Sequence, residues 1–173
     1  MELLPLYDRD GNPLDKTAVR DGGLPQVEEG EYWRVCDVWI VNSRGELLIQ
    51  RRALDRPNWP GAWCESAGGS LVVGETPEEG AIRETLEELG VRLDMNRGGL
   101  AFTYTSARAH HDVWVFRMDV PLEDLTLQAE EVIDARYAAP EELPRMEAEG
   151  TFVKTGYLRQ LLTMLPILLS AIE

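Results

Sequence analysis

Basic residues are scarce in this chain. Lys and Arg number 17 against 31 Asp and Glu over 173 residues, a formal charge of −14 at pH 7. Affinity for long DNA or RNA rests on neutralising many phosphates, so a nucleic acid polymer is disfavoured as a partner. An anionic membrane surface is disfavoured for the same reason. A small phosphorylated substrate remains compatible, because a metal ion can supply positive charge locally. Cysteine is nearly missing: Cys36 and Cys64 make no C-x-x-C and suggest no disulfide-stapled secreted domain. Long apolar runs are missing as well. Residues 161–172 are interrupted by Thr163, Pro166 and Ser170 and are too short to span a bilayer. The first eight residues lack the basic start and apolar core of a signal peptide. These absences predict a soluble cytoplasmic protein.

What is present is an ordinary globular balance, 44% hydrophobic and 28% charged. The length predicts one domain over 1–173, with residues 1–30 as an N-terminal extension packed on it. In that extension Asp8-Arg9-Asp10-Gly11-Asn12-Pro13 reads as a tight turn in a small hairpin. Residues 32–41 are rich in β-branched and aromatic types and read as a strand. Asn42-Ser43-Arg44-Gly45 is a turn, and residues 46–52 return as its hairpin partner. Further strands are expected over 101–105, 113–120 and 132–138. A short helix should open at Pro140-Glu141-Glu142-Leu143, and a terminal helix is expected over 154–172, kinked or interrupted at Pro166. Its leucines would serve helix packing or a homodimer interface. Strands around two or three helices make a mixed α/β domain.

Residues 76–90 carry their own helix signals. Thr76 with Glu79 three residues on forms a capping box, Pro77 suits the first helical position, and Gly90 suits the end. At about 100° per residue, Ile82, Thr85, Leu86 and Leu89 share one mostly apolar face. Glu84, Glu87 and Glu88 fall on roughly the opposite face. Three carboxylates within one turn repel one another unless something neutralises them. A solvated acidic face is one reading; a hard divalent cation with oxygen ligands is the other.

The glycine-rich stretch before this helix favours the second. Gly69, five residues, Glu75, seven residues, then Arg83-Glu84-Thr85-Leu86-Glu87-Glu88-Leu89-Gly90-Val91 resembles the Nudix box, with Thr85 where an aliphatic residue is usual. The resemblance to the Nudix hydrolases implies an α/β/α sandwich with a mixed β-sheet. It implies enzymes that cut a pyrophosphate bond in a nucleoside diphosphate derivative with Mg²⁺ or Mn²⁺. By position, Glu84 and Glu88 would be primary metal ligands and Glu87 a further one, with the Gly68 carbonyl completing the set. Arg83 would orient these carboxylates, and Glu75 would brace the loop or hold metal-bound water. The base that activates water would be a box glutamate or a distant one, with Glu130 or Glu131 the candidates.

The segment 60–69, Pro-Gly-Ala-Trp-Cys-Glu-Ser-Ala-Gly-Gly, is similar to the isopentenyl-diphosphate-isomerase branch of the family. The isomerase needs a cysteine and a histidine at the places held here by Gly68 and Ser70. A relative that hydrolyses is therefore expected. The alternatives are an isomerase and a nucleotide-binding domain without turnover. Arg51 and Arg52 alternate on a strand, so one of them can grip phosphate. Trp59 and Trp63 could stack on substrate or anchor the loop. His110 and His111 read as ordinary surface or strand-end residues, and Cys64 as a small buried one.

Overall fold

A computed structural model describes residues 1–172. The central strand is β3 (Trp33–Val41), whose side chains alternate between two apolar clusters: Val38 and Ile40 enter one, Trp39 and Val41 the other. A strand covered on both faces needs such a near-continuous apolar run. It pairs in parallel with β8 (Ala109–Arg117) over nine residues, and β8 pairs antiparallel with β7 (Gly98–Thr105). On its other side, β4 (Leu47–Arg52) pairs with β5 (Trp63–Cys64) and with β9 (Val132–Ala138). The result is a mixed seven-stranded sheet, since β6 (Ala67–Ser70) adds to β3.

The expected β3–β4 hairpin exists only at its turn. Ile40 faces Leu48 and Val41 faces Leu47, and beyond them the strands part. The chain from β5 to β6 fills the split. Ser66 closes it: the Ile40 amide donates to its hydroxyl at 2.8 Å, and the hydroxyl donates to the Leu48 carbonyl at 2.6 Å. This divergence carries the glycines of β6 to the middle of the sheet.

The helix α1 (Pro77–Leu89) has the bounds its caps predict. Thr76 accepts from the Glu79 amide, Glu79 accepts from the Thr76 amide, and Gly90 closes the end with φ 71°. Its buried face differs from the expectation. Ala81, Glu84, Thr85, Glu88 and Leu89 point inward, whereas Leu86 and Glu87 are exposed. Apolar periodicity alone misplaced the stripe, because two of the buried side chains are carboxylates with partners waiting beneath them. Thr85 fits a packed site because its hydroxyl donates to the Ala81 carbonyl at 2.8 Å, leaving its methyl to the core.

One layer of helix lies on each face. α1 covers the Val38–Ile40 cluster, and α2 (Glu142–Ala148) and α3 (Leu158–Ala171) cover the Trp39–Val41 cluster. α3 starts later than expected, after Gly156 turns with φ 78°, and runs through Pro166 without ending. Among the described residues, no helix is long and apolar enough to cross a membrane.

The N-terminal hairpin is β1 (Glu2–Tyr7) with β2 (Pro13–Arg20), turned by Asp8, whose carboxylate accepts from the Asp10 and Asn12 amides at 2.9 Å each. Leu4, Leu6 and Ala18 pack on Trp33 and Ala109. His110 locks this contact. It is buried, and its Nε2–H donates to the Asp8 carbonyl at 2.8 Å while Thr105 Oγ1 meets Nδ1 at 2.9 Å. The expectation of a surface histidine is thereby corrected.

Candidate active site

The split in the sheet opens into a cavity of about 670 Å³. Its walls come from separate parts of the chain: Arg20 of the hairpin, Asp37 of β3, the glycines of β6, Glu84 of α1, His111 of β8 and Glu131 before β9. On the α1 side, Arg83 sits at the centre. Its guanidinium donates to both oxygens of Glu75, to Glu84 at 2.8 Å, to Glu87 at 3.1 Å and to the Ser70 carbonyl at 3.2 Å. One cation thus draws three carboxylates together. Arg83 holds the Glu75 carboxyl below the usual carboxylate range, and its own proton is held more firmly than usual.

Glu88 takes a different path. It is buried, and its Oε2 accepts from the Gly68 amide at 3.0 Å and from Gln50 at 2.7 Å. Burial pushes its carboxyl well up, and neighbouring Glu84 adds to this against those two donors. Glu84 is raised too, by burial first, with Arg83 opposing. Two buried acids, each raised by burial first and then by a neighbouring carboxylate, Glu87 for Glu84 and Glu84 for Glu88, are poised to gain from a cation. Among the described residues, however, no three His, Cys, Asp or Glu side chains already stand in metal-binding geometry. Glu87 lies half exposed and shares Arg83 Nη1 with Glu84.

The glycines are needed here for space. A Cβ on Gly69 would stand 2.0 Å from Glu84 Oε1. Gly68 spends its amide on Glu88 and not on β3, and within an antiparallel strand a residue's carbonyl points to the same edge as its amide. Its carbonyl is therefore directed toward the Glu88 side.

The other expected site residues divide. Glu131 lines the cavity and pairs with Arg56 at 2.9 Å. Arg52 also lines it, with its Nε on the Asn58 carbonyl at 3.0 Å. Arg51 and Trp63 do not. Arg51 donates to the Gly61 carbonyl at 2.9 Å, and Trp63 lies under Arg136 at 5.1 Å and packs against the α3-side core. Trp59 stands on the cavity wall with φ 53°, a strained conformation for a bulky residue.

Several cavity residues carry no sequence signal of their own. His111 Nδ1 lies 3.0 Å from Asp37 Oδ2. Burial opposes the charged ring, but the Asp37 hydrogen bond and the charges of Asp37, Glu65 and Asp112 outweigh it and raise its pKa. Burial, with Asp37 nearby, pushes Glu65 up to about 7. Only alternation along β3 and β8 could have hinted that Asp37 and His111 share a face, and their pairing needs the parallel register.

A NUDIX domain signature matches residues 31–161. An uncharacterized Nudix hydrolase of Listeria monocytogenes is 38% identical over 164 residues, covering 95% of each chain. An isopentenyl-diphosphate Delta-isomerase of Corynebacterium diphtheriae is 38% identical over 94 residues, 54% of this chain and 50% of its own length. The crystal structure of a Deinococcus radiodurans protein superposes with a TM-score of 0.77 at 28% identity, covering 94% of this chain and 98% of that one. A MutT protein of Methanosarcina mazei gives 0.59 at 25% identity, over 79% and 94%.

Proposed function

The chain belongs to the Nudix family and is a Nudix hydrolase, and from that premise we propose that it cuts the pyrophosphate bond of a nucleoside diphosphate derivative or nucleotide, using Mg²⁺ or Mn²⁺. The observation that carries this is the gathering of Glu75, Glu84 and Glu87 on Arg83, with Glu88 behind them, at the edge of a cavity large enough for a nucleotide. The donors are all oxygens, which suits a hard divalent cation. Glu84, Glu87, Glu88 and the Gly68 carbonyl would hold it, and bound there it would neutralise charge on the diphosphate oxygens.

The remaining work falls to side chains. Arg83 keeps Glu84 and Glu87 oriented, and Glu75 braces Arg83 and the Val72 amide. Glu131, across the cavity and steadied by Arg56, is the proposed acceptor of the proton from attacking water. Arg52 and Arg56 are the cations placed to meet phosphate; Arg51 and Trp63 are withdrawn from that role. An isomerase is less well supported. Cys36 and Cys64 are both buried, and burial pushes both thiols well above their ordinary range, so neither offers a ready thiolate.

The test is a panel of nucleotide sugars, dinucleoside polyphosphates, nucleoside triphosphates and ADP-ribose, assayed with Mg²⁺ and Mn²⁺. Glu88→Gln should lower kcat by roughly 100-fold or more on whichever compound turns over. Equal rates for the variant and the parent would remove the glutamate helix from the chemistry.

A further inference from the structure

The cavity does not stop at the glutamates. It continues past Gly68 to the α3 face of the sheet, where Asp37, Glu65, His111 and Thr155 line it. Asp37 and His111 each lie two residues before a core residue of that face, Trp39 and Val113, so alternation fixes their direction. Glu65 Oε1 and Asp37 Oδ1 lie 3.1 and 3.6 Å from the place a Cβ on Gly68 would occupy, so both carboxylates face the same glycine.

This end is unfinished. Among the described residues, five buried side-chain polar atoms have no hydrogen-bond partner; Glu65 Oε2 and Thr155 Oγ1 are at this end, and Arg56 Nε lies in the same cavity beside Glu131. A buried polar atom left unpaired is unfavourable. Where such atoms line a cavity, the missing partner comes from what enters it, water or a ligand.

The surroundings narrow the ligand. At this end the wall also carries Lys154, next to Thr155, and Arg52, so positive charge is already supplied beside the two carboxylates. Asp37 and Glu65 disfavour a phosphate at the deep end. The rings of Tyr104, His111 and Tyr157 pack on one another with centroids 5.8 to 6.2 Å apart, which leaves no slot between them for an aromatic base. A neutral group with several hydroxyls meets all three conditions: it donates to the carboxylates and accepts from the threonine hydroxyl.

We propose that Asp37, Glu65, His111 and Thr155 form a specificity subsite for a polyhydroxylated part of the diphosphate substrate. The proposal rests on the hydrolase assignment only for where the diphosphate lies. Gly68 joins the two ends, its amide on Glu88 and its α-carbon facing Glu65, so one diphosphate ester reaches both. The hydroxyls belong either to the ribose of a nucleotide or to a sugar on the leaving side.

Saturation-transfer NMR on the full chain decides this without requiring turnover. The probes are uridine diphosphate glucose, uridine diphosphate and 2′-deoxyuridine diphosphate, each with Ca²⁺. Saturation should reach hexose protons if the leaving sugar occupies the subsite. It should reach ribose protons, with weaker binding of the deoxy compound, if the ribose does. Glu65→Gln and, independently, Thr155→Val should weaken the hydroxyl-bearing probe at least about tenfold and leave the probe lacking those hydroxyls unchanged. Equal weakening of all three probes, no weakening, or no binding of any probe overturns the proposal. Sugar contacts that survive while the Glu88→Gln assay fails would overturn only the hydrolase mechanism.

Discussion

The two ends of the cavity solve the burial of acid in opposite ways. At the α1 end, Glu75, Glu84 and Glu87 share the Arg83 guanidinium, and Glu88 has two hydrogen-bond donors. At the α3 end, Glu65 keeps one oxygen with no partner, Asp37 leans on a histidine, and Thr155 has an idle hydroxyl. The first end is a set of charges with partners, organised around the Arg83 guanidinium. The second keeps hydrogen-bonding capacity that an occupant of the cavity takes up. Satisfied polar groups mark where the chain organises itself; unsatisfied ones mark where it is organised for something else.

The neighbouring glycines offer the largest separation of the two ends. In Gly69→Ala the new methyl would sit 2.0 Å from Glu84 Oε1, the far end of a flexible side chain that can swing away. The fold should survive and the carboxylate should not stay in place. A displacement of about 1 Å in a reacting constellation costs roughly 100-fold in rate. Gly68→Ala instead meets the Cys36 carbonyl at 2.9 Å, a backbone atom that cannot step aside. That variant should lose about 1–3 kcal/mol of stability, as overpacked sites do. Denaturant melts and steady-state rates on both variants check the contrast. A kinetic effect in Gly68→Ala with no loss of stability would blur it.

Legibility in the sequence follows the same division. α1 was readable to the residue because its caps, proline and terminal glycine are local signals. The box residues are contiguous for the same reason. What local signals missed was rotation: Glu84 and Glu88 face inward because Gly68, Gly69 and Gln50 lie beneath them, far away in sequence. The α3 end draws Asp37, Glu65, His111 and Thr155 from four separate segments. It depends on the parallel β3–β8 register and on the split between β3 and β4, which no residue pattern announces. His110 and His111 show the limit most clearly. Neighbours on one strand point to opposite faces, one tying down the hairpin and the other entering the cavity.

A smaller effect tests the cost carried by Glu65. Its carboxyl stands near 7 in the fold against an ordinary value of 4.5. A raised carboxylate contributes stability that is fully present below about pH 4.5 and lost as pH rises through 7, because the fold then holds a charge the unfolded chain carries more cheaply. His111, also raised, adds in the same direction, its contribution fading as pH rises past neutrality. Glu65→Gln removes the Glu65 part. The variant should be more stable than the parent at pH 8, by up to about 3 kcal/mol, and no more stable at pH 4. Chemical denaturation at the two pH values measures this, and equal stability at pH 8 would mean that Glu65 has a partner in solution.

The smallest and sharpest contrast lies between two threonines. Thr85 Oγ1, in α1, donates to the Ala81 carbonyl, whereas Thr155 Oγ1 has no partner. Valine preserves the shape of each and removes the hydroxyl. At position 85 the loss of a hydrogen bond and the loss of a buried polar group offset each other. Thr85→Val should therefore change stability by less than about 0.5 kcal/mol, with valine filling the aliphatic place in the box. At position 155 there is no bond to lose, only an unsolvated hydroxyl to remove, so Thr155→Val should gain about 1 kcal/mol. In a chain of this length that is a rise in Tm of about 2–4 °C. The gain should vanish once a hydroxyl-bearing ligand saturates the parent, because the parent then recovers through binding what the variant gained by deletion. Calorimetry of both variants, with and without uridine diphosphate glucose, reads the difference directly. A Thr155→Val variant less stable than its parent would place that hydroxyl among the satisfied groups and erase the distinction between the two ends.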